Sequence, residues 1–305
     1  MADPELPLLP DLLPGFSAET IEIVDLGAMM ESEPRHHRLV TSGAAHLTGF
    51  EPNRREWAKL QAFIPGGRFL PYFVGTGKPA TLYTTAYPGC SSLYEPDPRV
   101  IDGFDQISTR HPSPEGGTGN FCVVGTEAVE TRKLDDIEEC PAPDLLKLDV
   151  QGSELDVLRN GEGKLASALV VEVEVEFVEL YKGQPLFGDI HRFLADRGLV
   201  FHKLVDLGGR TFRPIQVPQV PRMPMSQLLW ADAVFVRSLF DLSQLDESAL
   251  AKLAAILHGA YRSFDLVHRV LMELDLRTGA THVPAYQDFL RRTSWDDCLI
   301  CNFKA

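Results

Sequence analysis

Residues 145–163 read LLKLDVQGSELDVLRNGEG: an apolar run that breaks on Asp149, turns through Gly152 and resumes with helical spacing. A short leucine-rich run ended by a carboxylate and a glycine is the pattern of a buried strand that opens into a loop before a helix. The same order recurs along the chain. IEIVDLGA (residues 21–28) alternates and turns on Gly27, HLTGFEPN (46–53) is a short strand ending in Glu51, and RREWAKLQAF (54–63) has helical spacing. RFLPYFVG (68–75), ATLYTTA (80–86), FCVVGTEAVE (121–130), ALVVEVEVEF (168–177), LVFHKLVDL (199–207) and WADAVFVRSL (230–239) read as further strands, with FGDIHRFLADRG (187–198) helical and stopped by Gly198. Strands alternating with helices predict an α/β fold, a mostly parallel sheet with right-handed crossovers and helices on both faces. Such sheets bind ligands just beyond the carboxyl ends of their strands, so the acids at those ends are the residues to weigh.

Composition narrows the classes. The 305 residues are 44% hydrophobic and 24% charged, ordinary for a globular chain with a real core, and the formal net charge of -14 disfavours nucleic acid and anionic membranes as partners. Five irregularly spaced cysteines fit reduced thiols, and the CLIC pair Cys298–Cys301 lacks the further ligands a zinc site needs. The start MADPELPLLPDLLPGF has no basic region and is broken by prolines; with no long apolar run elsewhere, a cytoplasmic protein is expected. That lead-in to residue 16 reads as an extended arm, and residues 87–120, rich in Pro, Gly and Ser, as a long loop that is functional or partly disordered. Beyond residue 241, ESALAKLAAILHGAY and SFDLVHRVLMELDL carry apolar residues at three- and four-residue steps, a helical tail that would cap the site, form a homodimer interface or bind another protein.

Four positions stand at strand ends: Asp25 with Gly27, Glu51, Asp149, and the row Glu172, Glu174, Glu176. Alternation puts the three glutamates on one face of one strand, where a central position would bury them and demand partners or raised pKa values. Glu172 is as compatible with a solvated sheet edge, whereas Glu174 and Glu176, nearer the carboxyl end, point to the cleft. Glu51 is placed to accept both hydroxyl protons of a ribose. The turn after Gly27 runs Ala28, Met29, Met30, Glu31, with one glycine where a dinucleotide site wants three, and Glu31 would repel a pyrophosphate. A phosphate-free ligand carrying a sulfonium cation suits these acids better, which favours S-adenosylmethionine over NAD. VGTGKP (74–79) lacks the residues of a phosphate loop and reads as a turn, and His36–His37 as a solvated pair.

DLLKLDVQGSELDVLRNGEG (144–163), followed by VVEVEVEFVELYKGQPLFGDIHRFLADRGL (170–199), resembles the central signature of FkbM-type S-adenosylmethionine-dependent methyltransferases; TLYTTAYPGCSSLYEPD and GFEPN are similar to segments that accompany it. The resemblance spans residues 21–239. It implies a Rossmann-like class I methyltransferase fold with a seven-stranded sheet and one antiparallel strand, and O-methylation of a hydroxyl on a sugar, polyketide or related metabolite. On that reading Asp25, Gly27, Ala28, Glu51, Asn53 and Gly75 hold the cofactor. Asp149 takes the acceptor's proton, and Glu174 or Glu176 holds a second hydroxyl or a divalent cation, although no spacing marks a metal site. Ser91 and Ser92, in a loop over the site, are acceptor contacts or simply turn residues, and Glu154 supports the first turn of its helix. The departure is at Met29–Met30, where many methyltransferases carry asparagine and glycine. The expected organisation is an arm (1–16), a methyltransferase domain (17–240) and a C-terminal helical extension (241–305). An oxidoreductase on the same sheet and a cofactor-binding subunit without turnover are the alternatives.

Overall fold

The computed structural model describes residues 6–29, 33–53, 55–111, 118–217 and 226–292. Its strands in chain order are β1 (Ile21–Leu26), β2 (Ala45–Phe50), β3 (Arg68–Leu70), β4 (Phe73–Val74), β5 (Pro79–Thr85), β6 (Val123–Arg132), β7 (Leu145–Leu148), β8 (Val170–Glu176), β9 (Leu199–Gly209) and β10 (Leu228–Arg237). Seven of them form one sheet in the order β3-β2-β1-β7-β8-β10-β9, and β4-β6-β5 form a small second sheet. Neighbours from β3 through β8 pair in parallel, while β10 runs antiparallel to both β8 and β9. A strand order that reverses beside β1, with one inverted strand near the far edge, is the class I methyltransferase arrangement expected from the sequence.

Period-two alternation gives the large sheet two different faces. On one, Val24, Leu26, Leu146, Leu148, Val171, Val173 and Val175 form a core with Leu155, Val157 and Leu158 of α5 (Glu154–Arg159) and Ile190 and Leu194 of α7 (Phe187–Ala195). The other face is divided along the strands. Its first half is apolar, with Ile21, Ile23, Leu145, Val170, Val234 and Val236; its carboxyl half carries Asp25, Lys147, Glu172, Glu174, Glu176 and Asp232.

The helical tail covers the apolar half. Leu250, Leu253, Ala254, Ile256 and Leu257 of α8 (Glu247–Gly259), with Val267, Val270 and Leu271 of α9 (Phe264–Thr278), lie in the same core as Ile21 and Ile23. These helices form a layer of the fold rather than an appendage. The reason is local: among the described residues the crossover from β1 to β2 contains only the five-residue α2 (His37–Thr41), too short to cover the sheet. The fully buried His258 of α8 holds the layer together, with Nδ1 3.0 Å from the Tyr286 hydroxyl and Nε2 2.9 Å from the Pro7 carbonyl.

Four expectations change. The lead-in is not extended throughout: Leu9–Leu12 form a helical turn, with Leu9 and Leu13 buried in the core the tail builds. RFLPYFVG is two strands in different sheets, broken at Pro71, whose ring removes a ladder donor. Within the long loop, Ile101, Phe104 and Ile107 pack with Phe121, Leu180, Tyr181 and Leu229 as a separate small core. Pro88–Cys90 and Pro98–Ile101 form short helical turns there, and the Asp97 carboxylate caps the second by accepting from the Arg99 N–H at 2.9 Å. Finally, His36 is buried rather than solvated. VGTGKP is a turn between β4 and β5, as read, with Gly77 at φ +75°. Cys298 and Cys301 lie outside the described residues.

Candidate active site

Register fixes the site before any side chain is considered. Asp25 on β1 pairs with Gly49 on β2 and Lys147 on β7, and Lys147 pairs with Glu172 on β8. Partners in register share a face, so Asp25, Lys147 and Glu172 form a row across the middle of the sheet. One step further toward the carboxyl ends, Glu174 stands opposite Asp232 and Glu176 opposite Trp230.

The two central loops touch. Gly27 has φ +81°, and a Cβ built there would lie 1.8 Å from the Asp149 carbonyl oxygen, so only glycine fits. Beside it, the Gly27 and Ala28 N–H groups donate to the Phe50 carbonyl at 3.1 and 3.2 Å. Glu51 follows β2 and is buried; its Oε1 accepts the Asn53 N–H at 2.6 Å, while the Trp57 indole donates to its carbonyl at 2.8 Å. Burial raises the Glu51 carboxyl above its usual range. Asp25, Gly27, Ala28, Glu51 and Asn53 therefore assemble where the sequence put them. Gly75 lies just past β4, beside the small sheet, where its N–H donates to the Arg132 carbonyl at 2.8 Å.

Charge is unevenly matched here. Lys147 Nζ lies 3.5 Å from Asp25 Oδ1 and 3.8 Å from Asp149 Oδ2. Burial works against its charge, but Asp25, Asp149, Glu172 and Asp232 together hold it above the ordinary lysine range. Asp25 is itself pushed up by burial, against the pull of Lys147. His36 Nε2 is 3.7 Å from Asp25 Oδ2, and burial lowers the imidazole to about 4, so it is neutral at pH 7. His36 Nε2 is buried without a hydrogen-bond partner, and Asp25 Oδ1 has only the long contact to Lys147.

Glu172 is not a solvated edge residue. Arg35 Nη1 contacts its Oε1 at 2.9 Å and Asp232 at 3.4 Å, Arg35 also pairs with Asp206, and the Tyr261 hydroxyl donates to Glu172 Oε2 at 2.6 Å. Glu174 and Glu176 have no cation among these contacts, and burial with neighbouring carboxylates keeps both well above the usual range. Glu176 Oε2 is buried without a partner. Asp232 is pushed up to about 7 by burial and by Glu172.

Around Asp149 the loop is tightly held. Gln151 Nε2 donates to Asp149 Oδ1 at 2.8 Å and to Glu174 Oε2 at 2.7 Å. Glu154 reaches back from α5 so that its Oε1 accepts the Val150 and Gly152 N–H groups at 2.9 and 3.1 Å; burial pushes its carboxyl to about 7. Glu154 thus shapes the loop, consistent with a supporting role. The Ser92 hydroxyl is buried, donating to the Gln151 carbonyl and accepting from the Tyr94 N–H; Ser91 Oγ accepts the Thr85 N–H at 3.1 Å. Both serines are engaged within the protein, tying the small sheet's loop to the Asp149 loop.

Sequence reading did not single out Lys147, Arg35, Asp232, Tyr181, Tyr261 or Gln151, and took His36 for a solvated residue. One signal was available: a lysine inside LLKLD and an aspartate inside WADAVFV are misfits in apolar strands. Among the described residues no group of three or more His, Cys, Asp or Glu is arranged to hold a metal ion, and no helix is long and apolar enough to cross a membrane.

The chain spans about half the length of the curated relative it matches: it is 30% identical over 139 residues to the hexuronic acid methyltransferase AglP of Haloferax volcanii, covering 46% of this chain and 51% of that protein. Among solved structures it is similar to a TehB-like SAM-dependent methyltransferase from Corynebacterium glutamicum (11% identity, 75% of this chain and 87% of that one, TM-score 0.33). Another is the magnesium protoporphyrin IX methyltransferase ChlM from Synechocystis, solved with bound SAM (13% identity, 72% and 71%, TM-score 0.35). Likenesses this low add nothing to the fold, which rests on strand order and register. The methyltransferase FkbM domain matches residues 29–201, a span holding Glu51, Asp149, Glu174 and Glu176 and beginning just after the Gly27 turn. With more than half its length in that match, the chain belongs to the FkbM methyltransferase domain family.

Proposed function

We propose that the protein is an S-adenosylmethionine-dependent O-methyltransferase acting on a hydroxyl of a sugar or related small metabolite. The observation that supports this reading is the contact of the Gly27 turn with the Asp149 loop, which brings the turn expected to hold the cofactor against the carboxylate expected to take the proton. The residues fit the cofactor. Glu51 follows β2 as a ribose-binding carboxylate would, His36 Nε2 offers a polar atom without a hydrogen-bond partner, and an acidic surround favours a sulfonium over a phosphate.

Bound S-adenosylmethionine supplies an electrophilic methyl group. The chain's task is orientation and proton removal. Asp149 accepts the acceptor hydroxyl's proton as the oxygen becomes nucleophilic. Lys147, between Asp25 and Asp149, offsets the negative charge that the neighbouring carboxylates impose. Glu174 and Glu176 accept hydrogen bonds from further hydroxyls of the acceptor. A row of carboxylates with Trp230 beside Glu176 suits a polyhydroxylated molecule, and the hexuronic acid named for the relative supports a sugar acceptor.

Titration calorimetry with S-adenosylmethionine, its demethylated product and NAD tests the cofactor, and mass spectrometry of sugar acceptors tests the transfer. Asp149→Asn is expected to bind the cofactor within about threefold of wild type while losing at least a hundredfold in kcat. Undiminished transfer by this variant would remove Asp149 from the mechanism, and binding of NAD alone would overturn the methyltransferase reading.

A further inference from the structure

Gln151 occupies a conformation that needs explaining. Its φ is +55°, in the left-handed region that side chains other than glycine seldom adopt, and Gly152 follows at φ +98°. Such backbone persists where the surroundings over-determine it. Here the Ser92 hydroxyl holds the Gln151 carbonyl at 2.5 Å, and Glu154 holds the N–H groups on either side. The outcome is a side chain delivered between two carboxylates.

The amide orientation follows from its neighbours. Both N–H bonds of Nε2 are used, toward Asp149 Oδ1 at 2.8 Å and Glu174 Oε2 at 2.7 Å. Oε1 accepts from the Tyr181 hydroxyl at 3.0 Å; that hydroxyl also lies 3.0 Å from the Cys90 carbonyl, so its single proton is shared between two acceptors. A flipped amide would set oxygen against two carboxylates. We infer that Gln151, held by Tyr181 and bridging Asp149 to Glu174, is a positioning residue that aims the proton-accepting carboxylate of the transfer. The inference rests on the function proposed above.

The physical need is clear from what competes for Asp149. Its Oδ2 lies 3.8 Å from Lys147, and the terminal torsion of an aspartate is soft, so an unpinned carboxylate would swing into a closer ion pair. The Gln151 bond at Oδ1 opposes that rotation. The same amide separates Asp149 from Glu174, which would otherwise meet as like charges. The other charged groups facing this pair are Asp25 on β1, Lys147 on β7, Glu176 on β8, Asp232 on β10 and Glu154 on α5.

Gln151→Glu keeps the shape and replaces the shared donor with a third carboxylate. The acid limb of its kcat–pH profile should move up by about one unit or more, so that kcat on that limb falls about tenfold and recovers as pH rises past it. Gln151→Met, without donor or charge, should lose about tenfold or more in kcat at every pH, with KM for S-adenosylmethionine within about twofold of wild type. A purely structural side chain would lower the melting temperature of both variants and leave the limb in place. Carbon-13 carboxyl titration of Glu174, in ligand-free wild type and Gln151→Glu, reads the bridge without any turnover. A midpoint moved upward supports it, and an unmoved midpoint or limb overturns it. Failure of wild type to bind S-adenosylmethionine would refute the proposed function instead, and the Glu174 midpoint would still report on the bridge.

Discussion

Replacing Gly27 by alanine should separate the two loops on which the site depends. The new Cβ would sit 1.8 Å from the Asp149 carbonyl oxygen, so the loops must part by about 1.7 Å to reach ordinary contact. Two hydrogen bonds resist that movement: Asp149 N–H to the Leu26 carbonyl at 2.9 Å and Gly27 N–H to the Phe50 carbonyl at 3.1 Å. Losing both costs about 2 kcal/mol, and the left-handed backbone adds about 1–2 kcal/mol for any residue with a Cβ. The expected loss is therefore about 3–4 kcal/mol. Gly43 supplies the control, since it has φ +80° and nothing within 4 Å of a built Cβ. Gly43→Ala should lose only the backbone part, about 1–2 kcal/mol. Urea unfolding of both variants against wild type measures the difference, and calorimetry should find cofactor affinity reduced at least tenfold in Gly27→Ala alone. If the two variants were equally stable to within about 0.5 kcal/mol, the close approach of the loops would contribute nothing and the reasoning would fail.

Arg35→Met leaves Glu172 and Asp232 without their shared cation, and stability by urea unfolding at pH 8 should fall by about 3–5 kcal/mol. The folded-state value for Asp232, already about 7 and above its unfolded value, would rise further, so the folded state takes up the extra proton; the defect should shrink as pH falls from 8 to 5, and a defect independent of pH would count against the ion pair. His258 tests linkage with the opposite sign. Burial lowers its folded-state value to about 4 from 6.5, so only the unfolded chain is protonated between those limits. Its contribution is complete above pH 6.5 and is lost as pH falls toward 4, by at most about 3 kcal/mol. The stability difference between wild type and His258→Gln should therefore narrow over that window, and a constant difference would show that His258 does not titrate on unfolding.

Much of the scaffold is legible in local sequence because it is set by period. Alternation over residues 168–177 places Glu172, Glu174 and Glu176 on one face, and their intervening valines are fully buried on the other. Glycine after a strand-ending acid marks Gly27, since few other residues can turn there, and an acid closing a leucine run marks Asp149. What local pattern cannot carry is which strands lie side by side. Lys147 reads as a stray charge until register sets it between Asp25 and Glu172. His36 reads as a surface residue until its neighbours close over it, and the tail's role stays open until the brevity of α2 leaves a sheet face for it to cover. Gln151, one of three polar side chains in a single loop, stands out only once Glu174 and Tyr181 arrive from elsewhere in the chain.

By itself, then, the sequence determined the strands, the helices, the acidic strand ends and the faces on which their side chains fall, because propensity and periodicity act over a few neighbouring residues. The tertiary structure decided which charges are paired, which are buried without a partner and which carboxylate is aimed. Those depend on burial and on contacts between residues more than a hundred positions apart, such as Arg35 with Glu172, where desolvation and distance rather than residue type set the chemistry.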